Sequence, residues 1–137
     1  MPKKKWSISG PEAAKLIGIS YRQIDYWDRI ELVKPSVNKA AGSGSQRRYS
    51  MEDLMALSVV KTLNYLGFGF DWVRTILGDV EGELLRADDN YLLVVGKDDA
   101  RVLDVSEIKG SLTDEVRVII PLVILREALQ ERLQSVG

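Results

Sequence analysis

Two helix-start signals follow one another within a dozen residues, with a glycine between them. Ser9 stands three positions before Glu12, and Ser20 stands three before Gln23. This is the spacing of a reciprocal N-terminal cap, in which each side chain satisfies the other's backbone N–H. Pro11 falls in the opening turn of the first helix, where a missing N–H costs nothing, and Gly18 can close it. Two short helices with almost no connection make a helix-turn-helix. Ala14, Gly18 and Ile24 sit where that corner needs a small residue, a turn glycine and an apolar wedge.

On a wheel of about 100° per residue, Tyr21, Arg22, Asp25, Tyr26 and Arg29 share one arc of the second helix. Ile24 and Trp27 point the opposite way, joined by Leu32 just beyond. One face therefore packs, and the other presents guanidinium groups and phenols. Next comes "LVKPSVNKAAGSGSQRRYS", read as a hairpin whose tip is the mobile run "AAGSGS" and whose return carries Arg47 and Arg48. Ser50 and Asp53 repeat the cap signal, with Asp in place of Glu or Gln. Residues 51–66 carry apolar positions round much of the circumference, as a buried central helix does. Gly67 stops it, and "FGFDWVRTIL" forms a fourth short helix.

Residues 78–90 are acidic and weakly patterned, which marks a boundary. Beyond it "YLLVV" and "ARVLDV" are strand-like runs joined by the turn signal "GKDD", and "VRVII" offers a third strand. After Pro121 a helix carries Leu122, Leu125, Leu129 and Leu133 along one side, opposite Arg126, Glu127, Glu131 and Arg132. That leucine row is a candidate dimer interface or a face packed on its own strands.

Composition narrows the chemistry. With no cysteine among 137 residues there is no disulfide framework and no thiolate metal site. With no histidine the commonest acid–base catalyst and metal ligand is missing too. No catalytic residue, metal or cofactor is therefore expected, and the chain reads as a non-enzyme. No apolar run is long enough to span a bilayer and no secretory signal opens the chain, so a cytoplasmic location without membrane contact is expected. The net charge of −1 hides a segregation: residues 1–77 hold 12 Lys+Arg against 7 Asp+Glu, and residues 78–137 hold 7 against 13. The resulting +5 and −6 restore the total. A basic front half can attract nucleic acid, because the local field decides.

Tyr21 and Arg22 stand at the start of the second helix, where a helix-turn-helix reaches base edges. Arginine reads guanine there at about 1–3 kcal/mol per good bidentate pair. Tyr26 and Arg29 lie where phosphate contacts fall. Asp25 serves to orient the neighbouring arginines. Lys39, Arg47, Arg48 and Tyr49 on the hairpin, and Arg74 on the fourth helix, complete the candidate DNA-binding set.

The stretches "AAKLIGISYRQIDYWDRIELVKPS", "QRRYSMEDLMAL" and "LGFGFDWVRTIL" make residues 6 to about 77 resemble the DNA-binding domain of the MerR family of bacterial transcription regulators. Ser20, Arg22, Tyr26-Trp27 and Asp28-Arg29 match that family's recognition helix, and Arg47 and Tyr49 its wing. Three departures stand out. Asp25 replaces a basic residue, Glu31 replaces the glycine after the recognition helix, and the usual long coiled-coil helix is absent. The resemblance implies a winged helix-turn-helix over 6–77; with the acidic connector over 78–90 and the small α+β region over 91–137, for dimerisation or an effector, that this sequence offers in place of the coiled coil, a mainly α fold is expected. It implies a homodimer on a two-fold operator in double-stranded DNA, acting on transcription. RNA polymerase or another protein is a candidate partner for the C-terminal half. The rival readings are an excisionase-like or architectural DNA-bending factor and a protein-interaction module.

Overall fold

The structure, a computed structural model, describes residues 6–38, 47–85, 90–108 and 116–136. Its first helices begin where the caps stand. Ser9 caps α1 (Gly10–Ile17), Ser20 caps α2 (Tyr21–Arg29) and Ser50 caps α3 (Met51–Tyr65), each in a reciprocal box. In the first box the Ser9 hydroxyl donates to Glu12 Oε1 at 2.8 Å. That bond, with the backbone one from Ser9, holds the Glu12 carboxyl below the usual carboxylate range. A carboxylate so held stabilises the fold at neutral pH, and the contribution drains away as pH falls through its folded pKa. Asp53 reaches beyond its own cap: its Oδ2 accepts from Ser50 N at 2.8 Å and also from Ser36 N and Oγ at 2.8 and 2.7 Å. The cap thus ties the loop after α2 to the central helix.

Gly18 takes the left-handed conformation, φ 84°, and turns the chain straight from α1 into α2. Glu31 takes it as well, φ 59°, without being a glycine. The lack of glycine thus did not prevent a left-handed residue after α2. Leu32 N–H closes back on the Trp27 carbonyl at 2.9 Å, and this closure holds Glu31 in its strained form. An L side chain in that region costs about 1 kcal/mol. Glu31→Gly should therefore raise unfolding stability by about 1 kcal/mol in a denaturant titration. A loss would mean that the Glu31 side chain makes a contact that matters more than the strain.

Helix α3 is buried on most sides, with Leu54, Met55, Leu57, Val59, Val60 and Leu63 inside. Trp27 and Ile24 of α2 and Ala13, Ala14 and Ile17 of α1 close on it. Each large side chain so buried contributes about 1.5–3 kcal/mol of transfer free energy. A two-residue ribbon, β1 (Ile8–Ser9) with β2 (Arg48–Tyr49), pairs the start of the domain with the return from the loop. Strands this short leave no alternation to read in a sequence. Helix α4 (Phe70–Asp79) buries Val73 and Ile76. It runs past Leu77, and Val80 and Leu84 beyond it enter the same core. The acidic stretch is therefore pinned at two apolar points.

Strands β3 (Tyr91–Val95) and β4 (Ala100–Asp104) pair in register, Val95 against Ala100, around a turn closed by Gly96 N–H on the Asp99 carbonyl at 2.8 Å. The third strand, β5 (Val118–Pro121), lies antiparallel on the other side of β3. Leu93, Val95, Ala100 and Val102 face the core that α3 occupies. The last helix, α5 (Leu122–Val136), lies on α1, α3 and β3. Leu122 and Leu129 are buried, at 0% and 2% exposure, and Leu125 and Leu133 pack partly against the same cluster. Of the two readings of the leucine row, a dimer interface or a face packed on its own strands, Leu122 and Leu129 follow the second. The front helices leave an apolar gap between α1 and α3, and this row fills it. No helix among the described residues is long and apolar enough to cross a membrane.

Candidate nucleic-acid interface

Because Ile24 and Trp27 anchor one face of α2, helical geometry turns the opposite face outward. Arg22, Tyr26 and Arg29 follow one another along it at four- and three-residue steps, and all three are exposed. The ring of Tyr26 leans against Phe70 of α4, centroids 6.2 Å apart at 56°, which limits its swing. Tyr21 opens the helix. Its ring lies over Gly10, where an added methyl would stand 2.8 Å from Cε2, so Gly10 is the residue that lets Tyr21 settle there.

The hairpin arginines behave unlike the rest. Arg47 is 7% exposed. Its guanidinium meets Asp25 Oδ1 at 2.6 Å and Asp28 Oδ2 at 2.7 Å, and it donates to the Tyr21 hydroxyl at 3.0 Å. Burial works against the charge, but these three acceptors outweigh it and hold the pKa above the usual arginine value. Asp28 is shared further, taking Lys34 Nζ at 3.1 Å. Asp25 reaches outward with its other oxygen to Arg29 Nε at 3.0 Å. One buried arginine thus bolts the chain returning from the loop to the recognition-type helix, and through Asp25 it sets where Arg29 stands.

This corrects two expectations about DNA contact. Arg47 is enclosed in ion pairs, because the unexpected Asp25 and the neighbouring Asp28 supply two carboxylates that would be costly to leave unpaired beside α2. Tyr49 is buried at 0% exposure, its hydroxyl without a partner among the described residues. Burial first, and then the charge of Asp28, push that phenol's pKa upward. Arg48, which opens β2, bonds Ser7 Oγ and O at 3.1 and 2.9 Å. Arg74 donates to the Ile30 carbonyl at 2.6 Å, where a cation suits the C-terminal end of α2, and pairs with Asp71 at 3.2 Å. Lys39 and the run "AAGSGS" lie outside the described residues. Asp25 orients Arg29 as expected, but its second partner is Arg47, not Arg22.

Several supporting residues carried no sequence signal of their own. Gly10 and Ser7 act through Tyr21 and Arg48, further along the chain, while Asp28 and Lys34 stood inside a recognised stretch, Lys34 as a candidate wing cation and not as the partner of Asp28. No group of three or more carboxylates among the described residues could hold a metal ion.

Residues 8–79 match the family model described as the MerR HTH family regulatory protein. An uncharacterised HTH-type transcriptional regulator of Mycobacterium tuberculosis is 46% identical over 74 residues, which cover 54% of this chain and 33% of that one. A probable heavy metal-dependent transcriptional regulator of Haemophilus influenzae is 33% identical over 66 residues, 48% of this chain and 49% of that one. Among solved structures, a MerR-family transcriptional regulator from Bacillus cereus aligns over 96% of this chain and 75% of its own, at 21% identity and a TM-score of 0.44. The chain spans between a third and a half of the length of these curated relatives. The family model covers more than half of the chain, and it includes α1, α2, the ribbon strands, α3 and α4. This chain belongs to the MerR HTH family.

Proposed function

We propose that residues 6–77 form a winged helix-turn-helix that binds double-stranded DNA, and that the protein regulates transcription as a homodimer on a two-fold operator. The observation that carries this reading is the exposed row Arg22, Tyr26 and Arg29 on a helix whose other face is buried. Arg22 stands in the first turn, within reach of base edges once α2 enters a major groove. Tyr26 and Arg29 suit the phosphate backbone. Arg47 anchors the chain ahead of β2 to α2 and is not itself a DNA contact. The C-terminal region, with Leu122 and Leu129 committed inward, offers a second copy its exposed Ile119 and Ile124.

Selection of bound fragments from random genomic DNA, followed by titration at several salt concentrations, tests the reading. Short two-fold sites near promoters are the expected product. Arg22→Ala should weaken binding to such a site about tenfold or more while sparing random DNA. Arg29→Ala should weaken both alike and lower the salt slope by about one. Wild-type titration curves for both variants would overturn the assignment, and diffuse coating of all sequences would favour an architectural role.

A further inference from the structure

Away from α2's exposed face, a cleft of about 480 Å³ opens between the C-terminal end of α1, the second half of α3 and α5. That is within the size range of small-molecule sites. Ile17, Leu125 and Leu129 make its floor apolar, and the ring of Tyr65, 89% exposed, stands at its rim. Two cations line it, Lys61 and Arg132, and no Asp or Glu among the described residues does. Neither cation has a carboxylate partner among those residues. Lys61 Nζ donates to the Ile17 carbonyl at 2.8 Å, and Arg132 Nη1 donates to the Leu16 carbonyl at 3.0 Å. An ammonium has three donors and a guanidinium five, so each cation keeps donors to spare after these bonds.

We propose that this cleft is a binding site for a small organic anion with a flat apolar body, an aromatic carboxylate being the simplest case. The ring would lie on the aliphatic floor beside Tyr65, and the carboxylate would take the spare donors of Lys61 and Arg132. Charge complementarity selects the class. A neutral ligand leaves two positive charges without a counter-charge, and a cation is repelled by both. The site also has a route to α2. Lys61 and Arg132 satisfy the last carbonyls of α1, Gly18 and Ile19 at the corner line the cleft, and Gln23, which caps α2, reaches its wall. A carboxylate on those spare donors would neutralise the two cations that hold the end of α1 next to the corner that sets α2. The site itself does not rest on the DNA reading, and its test uses no DNA.

The probe is 1-naphthoate, titrated into the full chain by calorimetry and followed by amide chemical shifts, with neutral 1-naphthamide as control. Saturable one-to-one binding is expected, with shifts at residues 16–19, 61–65 and 125–132. The amide should bind about tenfold more weakly, and so should naphthoate to Arg132→Gln. Ala128→Phe, which fills the cleft from a partly exposed wall position, should abolish binding while an amide spectrum shows the fold intact. Equal binding of naphthoate and naphthamide would overturn the proposal. So would undiminished binding by folded Ala128→Phe, shifts confined to other surfaces, no binding at millimolar naphthoate, or occupancy that falls as protein concentration rises, which would give the cleft to a second copy.

Discussion

Arg47→Ala is expected to lose about 3 kcal/mol of folding stability and much of its DNA affinity, yet to keep the wild-type salt slope. The argument runs from the geometry of one guanidinium. Removing it leaves Asp28 buried with only Lys34, and Asp25 with only Arg29. Two carboxylates of α2 that each lose a cation, Asp28 in a buried position, are costlier than a missing surface pair. The chain at Arg47 would lose its anchor to α2, and with it the placing of Arg29 through Asp25. A phosphate contact behaves differently: its loss reduces the number of counterions released and flattens the dependence on salt. Arg47→Lys should recover part of the stability, since one ammonium can face either aspartate but cannot span both as the fork does. Denaturant titration and binding at several salt concentrations read the two effects separately. A slope reduced by about one unit in Arg47→Ala, with stability unchanged, would return the residue to the DNA surface.

Leu129→Ala is expected to destabilise the front helices themselves, by about 3 kcal/mol. Leu129 sits at 2% exposure on the terminal helix, more than sixty positions after α3 ends, and packs in the core that α1 and α3 share. The void left there lies between the buried cluster and the cleft that Leu129 lines, and filling it would take a shift of α5 against α1 and α3. If the leucine row instead joined two copies, stability would depend on protein concentration and the loss would appear as weaker association. Unfolding midpoints compared over roughly a hundredfold range of concentration separate the cases. The core reading predicts a shift that does not move with concentration.

Much of the site's local framework was legible because it depends on spacing of three or four residues. The serine caps, the corner at Gly18, the outward face of α2 and the β3–β4 hairpin all rest on neighbours in the chain. The exposure of Arg22, Tyr26 and Arg29 follows from the burial of Ile24 and Trp27, which helical periodicity already implies. The two hairpin arginines were not legible in the same way. Strand alternation says that Arg47 and Arg48 face opposite sides, but nothing in "QRRYS" says which side holds two aspartates. Glu31 shows the reverse failure: a local rule discouraged its backbone form, and the Leu32–Trp27 closure imposed it.

The C-terminal half divides along the same line. A leucine row predicts that a face will be covered, since apolar area leaves water wherever cover exists, but it does not say whether the cover is a second copy or the same chain. The gap between α1 and α3 decides that, and it exists only once those helices have packed. The amino-acid order alone thus settled where helices begin, which way they turn and what each face carries, because those are short-range hydrogen-bond and periodicity effects. Folding in three dimensions decided which charges meet, which leucines are enclosed and which arginines stay free, because these depend on distances between residues far apart in the chain.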